Sequence, residues 1–407
     1  MDIISILETV GGILIALIAL MLMVTIHEAG HYTVGKLLKF KINEFAIGFG
    51  KAIFKRKMKS GEIFSIRILP LGGYCAFDGE DEDENKPRVN EEGAEISSEG
   101  LFNKQKPWKR LLVLGAGAFF NFVSAILIIA LTFCFHGDVL PCTEIRGEYV
   151  QENSVFEDHD IIISIDNTVF SFFNADMAHT YSDGEHVAVV RRLDENGRRY
   201  ETTVKFNSSE YGFIDSSSLE LYAYYLYKQG NPPAGFEDFE FDEKAYKSIT
   251  EEQLIQNYEF VSEVLTRGNC VTYRFYRVTF SFFDAFGRAF STVFRLVWLV
   301  ISTLIGLFTG ATPVSSLGGP ITVISTLGQS ATLSLGVLMY FVCLISANLA
   351  VFNLLPIPSL DGSRMVFVII EWIRGKPLNR KVEALVHSIG LVVIFAFAII
   401  VDVLKWF

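Results

Sequence analysis

Val10-Gly-Gly-Ile-Leu-Ile-Ala-Leu-Ile-Ala-Leu20-Met-Leu-Met-Val-Thr-Ile-His27-Glu28-Ala-Gly-His31 decides how this chain is read. Residues Thr9 to Ile26 carry no charge, and then two histidines four apart flank a glutamate. Residues at that spacing share a helix face, so both imidazoles can converge on one zinc ion while Glu28 stands close enough to activate a bound water. At about 1.5 Å rise per residue the helix from Val10 to His27 covers roughly 26 Å, which puts the histidines at or just inside the edge of a bilayer's hydrocarbon. Ionisable groups are costly there and by default functional. The plain alternative is two helix histidines with a neighbouring glutamate near an interface.

Other stretches share this apolar character. Uncharged runs span Leu111 to Phe135 and Ala384 to Val401, and no charged residue stands between Leu296 and Leu360. Of the 407 residues 50% are hydrophobic and 14% aromatic, richer than a soluble average. The pattern predicts a polytopic α-helical membrane protein with about four transmembrane helices. Asp2 and Glu8 precede the first apolar run and no basic leader does, so that run reads as a retained helix. Cys75, Cys134, Cys142, Cys270 and Cys343 show no CxxC spacing and imply neither a structural disulfide nor a thiolate zinc site.

Charge asymmetry orients the chain. Lys36, Lys39, Lys41, Lys51, Lys55, Arg56, Lys57, Lys59 and Arg67 outnumber Glu44 and Glu62 after the first helix, which predicts a cytoplasmic loop and an external N-terminus. Lys104, Lys106, Lys109 and Arg110 precede the second helix, which returns the chain outside. Residues 138–277 then hold 26 acidic against 12 basic side chains, as suits an external soluble region. The loop after the helix around Ala331 to Leu355 carries Arg364, Arg374, Lys376, Arg380 and Lys381 and belongs in the cytoplasm. Counting crossings then lays Phe282 to Thr309 along the membrane surface or only partly into it, with Arg288 and Arg295 placed to snorkel, and leaves the C-terminus extracytoplasmic; a full crossing with one tolerated arginine is the alternative.

A catalytic zinc takes three protein ligands and one open position. His136, His159, His179 and His186 fall in or beside the external region, and His387, without an accompanying acid or glycine turn, reads as packing in the helical bundle. Asp361 is the stronger candidate, in Asn353-Leu-Leu-Pro356-Ile-Pro358-Ser-Leu-Asp361-Gly362. Two prolines two residues apart break a helix and lay an extended turn at the depth of His31. An ordinary helix-stop turn with a solvated aspartate fits the same residues.

Taken together, the two motifs resemble those of the site-2 protease family, the intramembrane zinc metalloproteases, and in particular its bacterial regulator-of-sigma-E-protease branch. HEAGH matches the family's HExxH, and NLLPIPSLDG matches its NxxPxPxxDG at Asn353, Pro356, Pro358, Asp361 and Gly362. Gly115-Ala-Gly117-Ala-Phe-Phe-Asn121 is similar to the second-helix AGPxxN signature, with Ala118 in place of proline, and Leu317-Gly-Gly319-Pro320-Ile321 to the GP-I turn. Asp361-Gly362-Ser363-Arg364 departs from the commoner DGG-H form. The resemblance implies one Zn2+ held by His27, His31 and Asp361, Glu28 as general base, and Asn353 contacting the substrate backbone or the developing oxyanion.

Phe45-Ala-Ile-Gly48-Phe-Gly50 and Phe64-Ser-Ile-Arg67-Ile-Leu-Pro70-Leu-Gly-Gly73-Tyr74 alternate like strands. The family likeness makes residues 44–74 a membrane-re-entrant β-sheet that meets substrate at Gly48, Phe49, Gly50, Gly72 and Gly73; a cytoplasmic hairpin is the alternative. Residues 138–206 resemble a PDZ domain, an extracytoplasmic α+β module with a turn at Asp166-Asn167. Residues 207–277 match nothing named and read as a degenerate second PDZ unit or an insert. Residues 280–330 carry the amphipathic helix and GP turn, and 331–407 the last two membrane helices. The run Glu80 to Glu84 reads as a solvated loop.

By resemblance, the chain hydrolyses peptide bonds within or next to transmembrane segments in the cell membrane, among lipid and without nucleic acid. Single-pass proteins such as anti-sigma factors, or signal-peptide remnants, would be its substrates, and a site-1 type protease would act upstream. Two other classes compete. A transporter using His, Glu and Asp as an ion path calls for inverted repeats with broken helices, and no such symmetry is visible. A catalytically silent member would carry zinc and cleave nothing.

Overall fold

Long apolar runs can satisfy their backbone only within themselves, and here they fold as helices. The computed structural model describes residues 3–80, 100–146, 148–151, 153–172, 183–236, 239, 241, 246–314 and 317–404. Contacts divide the chain into one unit of residues 1–132 with 281–407 and another of residues 133–280.

The first unit opens with α1 (Ile3–Leu37), β1 (Ile42–Lys57), β2 (Ile63–Phe77) and α2 (Pro107–Phe135). The metal-ligand pattern lies inside α1, which continues past His31 to Leu37. Gly30 faces α2 so closely that a Cβ there would overlap the Ala116 carbonyl, which brings the two backbones together beside the histidines.

β1 and β2 form more than a hairpin. Ala52 to Lys57 pair antiparallel with Ile63 to Arg67, and Ile42 to Ile47 pair antiparallel with Gly73 to Phe77. Glu44 to Ile47 also pair, on their other side, with Ile63 to Ile66. The inner part of β1 thus lies between two parts of β2, and two long strands make a layer four strands wide. β1 bends back where Gly48 and Gly50 take φ of 85° and 84°, a region costly for any residue with a Cβ. Glu62, at the turn, accepts hydrogen bonds from Tyr32 (2.9 Å) and Lys36 (2.7 Å), which fastens the layer to α1 just beyond His31.

The second unit holds β3 (Asp138–Glu144), β4 (Ile161–Ile165), β5 (Thr168–Val169), β6 (Glu185–Leu193), β7 (Arg199–Asn207), β8 (Tyr211–Asp215), α3 (Ser216–Lys228), α4 (Glu251–Leu265) and β9 (Asn269–Val278). Its sheet runs β7-β6-β4-β3-β9-β8, with β5 beside β4. Asp166 and Asn167 form the β4–β5 turn at φ of 48° and 64°, and His186 hydrogen-bonds the Asp166 carboxylate, holding it below its usual range. β8 and β9 are parallel, so the chain between them must cross over, and α3 and α4 make that crossover. The helices bury Leu219, Ala223, Val261 and Val264 with Ile214 and Cys270. A boundary at residue 206 therefore falls within one sheet: residues 207–277 supply two of its strands, because β9 pairs with β3 along the whole length of β3 and carries β8 beside it.

The first unit resumes with α5 (Phe282–Thr309), α6 (Pro320–Leu333), α7 (Leu335–Phe352), α8 (Asp361–Arg374) and α9 (Arg380–Leu404). Among the described residues 5 helices, α1, α2, α5, α7 and α9, are long and apolar enough to cross a membrane. One of them is α5, which crossing counts lay along the surface. Part of the basic loop after α7 is itself helical, as α8. Its buried Glu371 accepts from Arg110 of α2 at 2.7 Å and pairs with Arg380 of α9 at 3.2 Å, so a shared carboxylate ties three helices and fixes α8.

Candidate metal centre

α1 sets His27 and His31 one turn apart, and α8 delivers the third donor. His27 Nε2 lies 2.9 Å and His31 Nε2 3.2 Å from Asp361 Oδ2, and the two Nε2 atoms are 3.1 Å apart. Both histidines are 7% exposed. Ligands held about 2.0–2.1 Å from a tetrahedral zinc stand roughly 3.3 Å from one another, so two imidazole nitrogens and a carboxylate oxygen at these separations fit zinc in chemistry and in size. Among the described residues no other group of three His, Cys, Asp or Glu side chains converges in this way.

The broken segment explains how Asp361 arrives. α7 ends at Phe352 and Asn353 caps it. Pro356 and Pro358 prevent the helix from continuing, and Ser359 turns the chain at φ of 82° while its N–H donates to His387 Nδ1 at 2.9 Å. Gly362 N–H donates to the Asn353 carbonyl at 2.7 Å, and a Cβ on Gly362 would overlap the Leu354 and Leu355 backbone. Only glycine lets this turn close, and closing it makes Asp361 the first residue of α8.

α2 backs the site with one stripe of residues four apart. His31 Nδ1–H donates to the Val113 carbonyl at 2.8 Å, which leaves Nε2 as the free lone pair. Gly117 faces the imidazoles, and the fully buried Asn121 places its side-chain amide 3.3 Å from His27 Nδ1. Asn353 comes within 3.5 Å of the same nitrogen.

Glu28 turns toward β2, in reach of the Cys75 backbone amide and beside Gly73, where a Cβ would stand 3.7 Å from Glu28 Cγ. Phe49 pairs with Leu69 at the bend of the layer and is 43% exposed, and Gly72 lies against its ring. Of the residues predicted to meet substrate, Gly73 is therefore next to Glu28, whereas Gly48, Phe49, Gly50 and Gly72 cluster at the bend. His136, His159 and His186 belong to the other unit, and His179 lies outside the described residues. The Val113 carbonyl, Gly117 and Asn121 were not assigned roles from sequence, although Gly115 to Asn121 is the stretch that carries them. A cavity of about 370 Å³ opens between Thr9 and Ile13 of α1 and Ile324 and Gly328 of α6, far back along α1; donor geometry, not cavity size, marks the site.

Comparison with known proteins bears on the same residues. The model of peptidase family M50 matches residues 15–397, which takes in both parts of the metal centre. A "Putative zinc metalloprotease" of Neisseria meningitidis serogroup A is 26% identical over 92% of this chain and 94% of its own length. Relatives of the same name from Pasteurella multocida and Agrobacterium fabrum are each 26% identical over 96% of this chain, covering 98% and 94% of their own lengths. One family pattern thus spans the helix that bears two of the converging side chains and the distant turn that bears the third, and the chain belongs to peptidase family M50, the site-2 proteases, as a zinc metalloprotease.

Proposed function

We propose that this metalloprotease hydrolyses peptide bonds within or next to transmembrane segments of membrane-anchored substrates, close to the cytoplasmic face of the cell membrane. The observation that carries this reading is a trio of converging donors, two buried on a helix long enough to span a bilayer and the third at the start of α8, with the glutamate of the pattern turned toward a β-layer. His27, His31 and Asp361 would hold the zinc, which when bound would supply Lewis-acid polarisation of the scissile carbonyl and a water near neutral acidity. Glu28 takes a proton from the attacking water and passes it to the leaving amine. The Val113 carbonyl holds His31 in the tautomer whose Nε2 faces the site. Asn353 donates its amide to the substrate carbonyl as charge develops there.

A transmembrane helix must unwind before hydrolysis, and its freed amides need partners inside the membrane. The β1–β2 layer offers them by strand addition, with Gly73 beside Glu28 and Gly48, Phe49, Gly50 and Gly72 lining the approach. Charge asymmetry puts this re-entrant layer on the cytoplasmic side of the membrane and both termini and the second unit outside. Residues 138–206 within that unit serve as a PDZ-like module limiting which substrates approach, after an upstream cleavage has shortened them. Single-pass proteins and signal-peptide remnants are the fitting class.

Replacing Glu28 by Gln in the full-length chain tests the assignment. The variant keeps its zinc and loses about 10²–10⁴-fold in cleavage of single-pass reporter substrates. Undiminished turnover with zinc confirmed by elemental analysis would sink the mechanism.

A further inference from the structure

His27 has a tautomer problem that its surroundings define. A neutral imidazole has one N–H, so a histidine that offers Nε2 to zinc carries its proton on Nδ1 and needs an acceptor there. His31 has such an acceptor in the Val113 carbonyl. The groups facing His27 Nδ1 are two carboxamides, of Asn121 at 3.3 Å and Asn353 at 3.5 Å, and each presents its nitrogen. An N–H donor at Nδ1 would force the proton onto Nε2 and spoil the ligand. Asn121 is 0% exposed, and its Oδ1 is buried with no hydrogen-bond partner among the described residues. A half-turn about Cβ–Cγ exchanges the two ends of the amide within nearly the same shape. It brings the partnerless oxygen onto His27 Nδ1–H.

We propose that Asn121 is the positioning residue of His27: its carboxamide oxygen accepts the Nδ1–H and so turns the Nε2 lone pair toward zinc. This rests on His27 being a zinc ligand. A single nitrogen makes a single hydrogen bond of this kind, so the Asn353 amide, farther away and half-buried, is left free for substrate. The stripe on α2 then has a division of labour: the Val113 carbonyl orients His31, Gly117 leaves room, and Asn121 orients His27.

The test compares full-length Asn121→Leu and Asn121→Asp with the parent chain in detergent, by zinc competition against a chelator and by the absorption of the cobalt-substituted site. An aspartate can only accept, and a leucine of similar volume can do neither. The proposal expects Asn121→Leu to lose about 10–100-fold in zinc affinity with a changed cobalt spectrum, and Asn121→Asp to bind at least as tightly as the parent. Leucine binding zinc as tightly as the parent, or aspartate losing zinc as leucine does, overturns it. Should the leucine variant not fold, the aspartate variant decides alone, retention supporting the acceptor role and loss overturning it. His27→Ala, measured alongside, separates the two assignments: a chain that keeps its zinc without His27 refutes that ligand itself, whereas zinc lost there and kept in Asn121→Leu refutes only the positioning role.

Discussion

A Cβ on Gly117 would lie 2.5 Å from His31 Nε2 and 2.6 Å from His27 Nε2, inside the space that a metal and its ligands need. Gly117→Ala must therefore push the imidazoles apart or move α2 away from α1. Its expected result is zinc content well below one per chain, read by elemental analysis of the purified protein. A full complement of zinc would show that the helices absorb the methyl. The two helices that meet at the site hold residues of very different legibility. His27, Glu28 and His31 were readable because their geometry is local: four residues make one turn in any helix. Gly117 and Asn121 lie far from them in sequence, and nothing local says which face of α2 meets α1.

The start of α6 shows one element completed by another. Gly319 is its N-cap and Pro320 its first residue, so the helix has no capping side chain of its own. The buried Asp402 of α9 fills that role, accepting from the amides of Ile321 (2.9 Å) and Thr322 (3.2 Å) and from the Thr322 hydroxyl (2.8 Å). A carboxylate there also meets the positive end of the helix dipole. Asp402→Ala is expected to cost about 1 kcal/mol and Asp402→Asn less, read as lowered midpoints of thermal unfolding in detergent. Equal midpoints for both variants and the parent would show the cap to be idle. From sequence, Leu317 to Ile321 could be read only as a turn before α7, since its partner is some 80 residues away. α8 escaped for a related reason: its arginines were counted as loop charge, and the burial of Glu371 between Arg110 and Arg380, which stabilises the helix, is a contact among three elements.

For the whole molecule, the metal centre joins α1 to the start of α8, so bound zinc would link two segments more than 300 residues apart in the chain. A metal that binds only the folded state stabilises it. Chelation is expected to abolish cleavage and to lower the unfolding midpoint by roughly 5 °C, both restored by added zinc. Loss of activity without any thermal shift would mean that the helices are held without it. The apolar helices and the β1–β2 segment were legible in the sequence, because apolar length and strand alternation act over short stretches of chain; length also made α5 visible, though not whether it crosses, and Asp361 joined His27 and His31 as a candidate ligand through the family resemblance. Tertiary structure alone decided that β1 and β2 fold into a layer four strands wide, that residues 207–277 complete the sheet begun at Asp138, and that α2 lays Val113, Gly117 and Asn121 against the histidines. Those outcomes depend on which faces of distant elements can approach closely enough to bury apolar surface and satisfy polar atoms, and no local pattern encodes that choice.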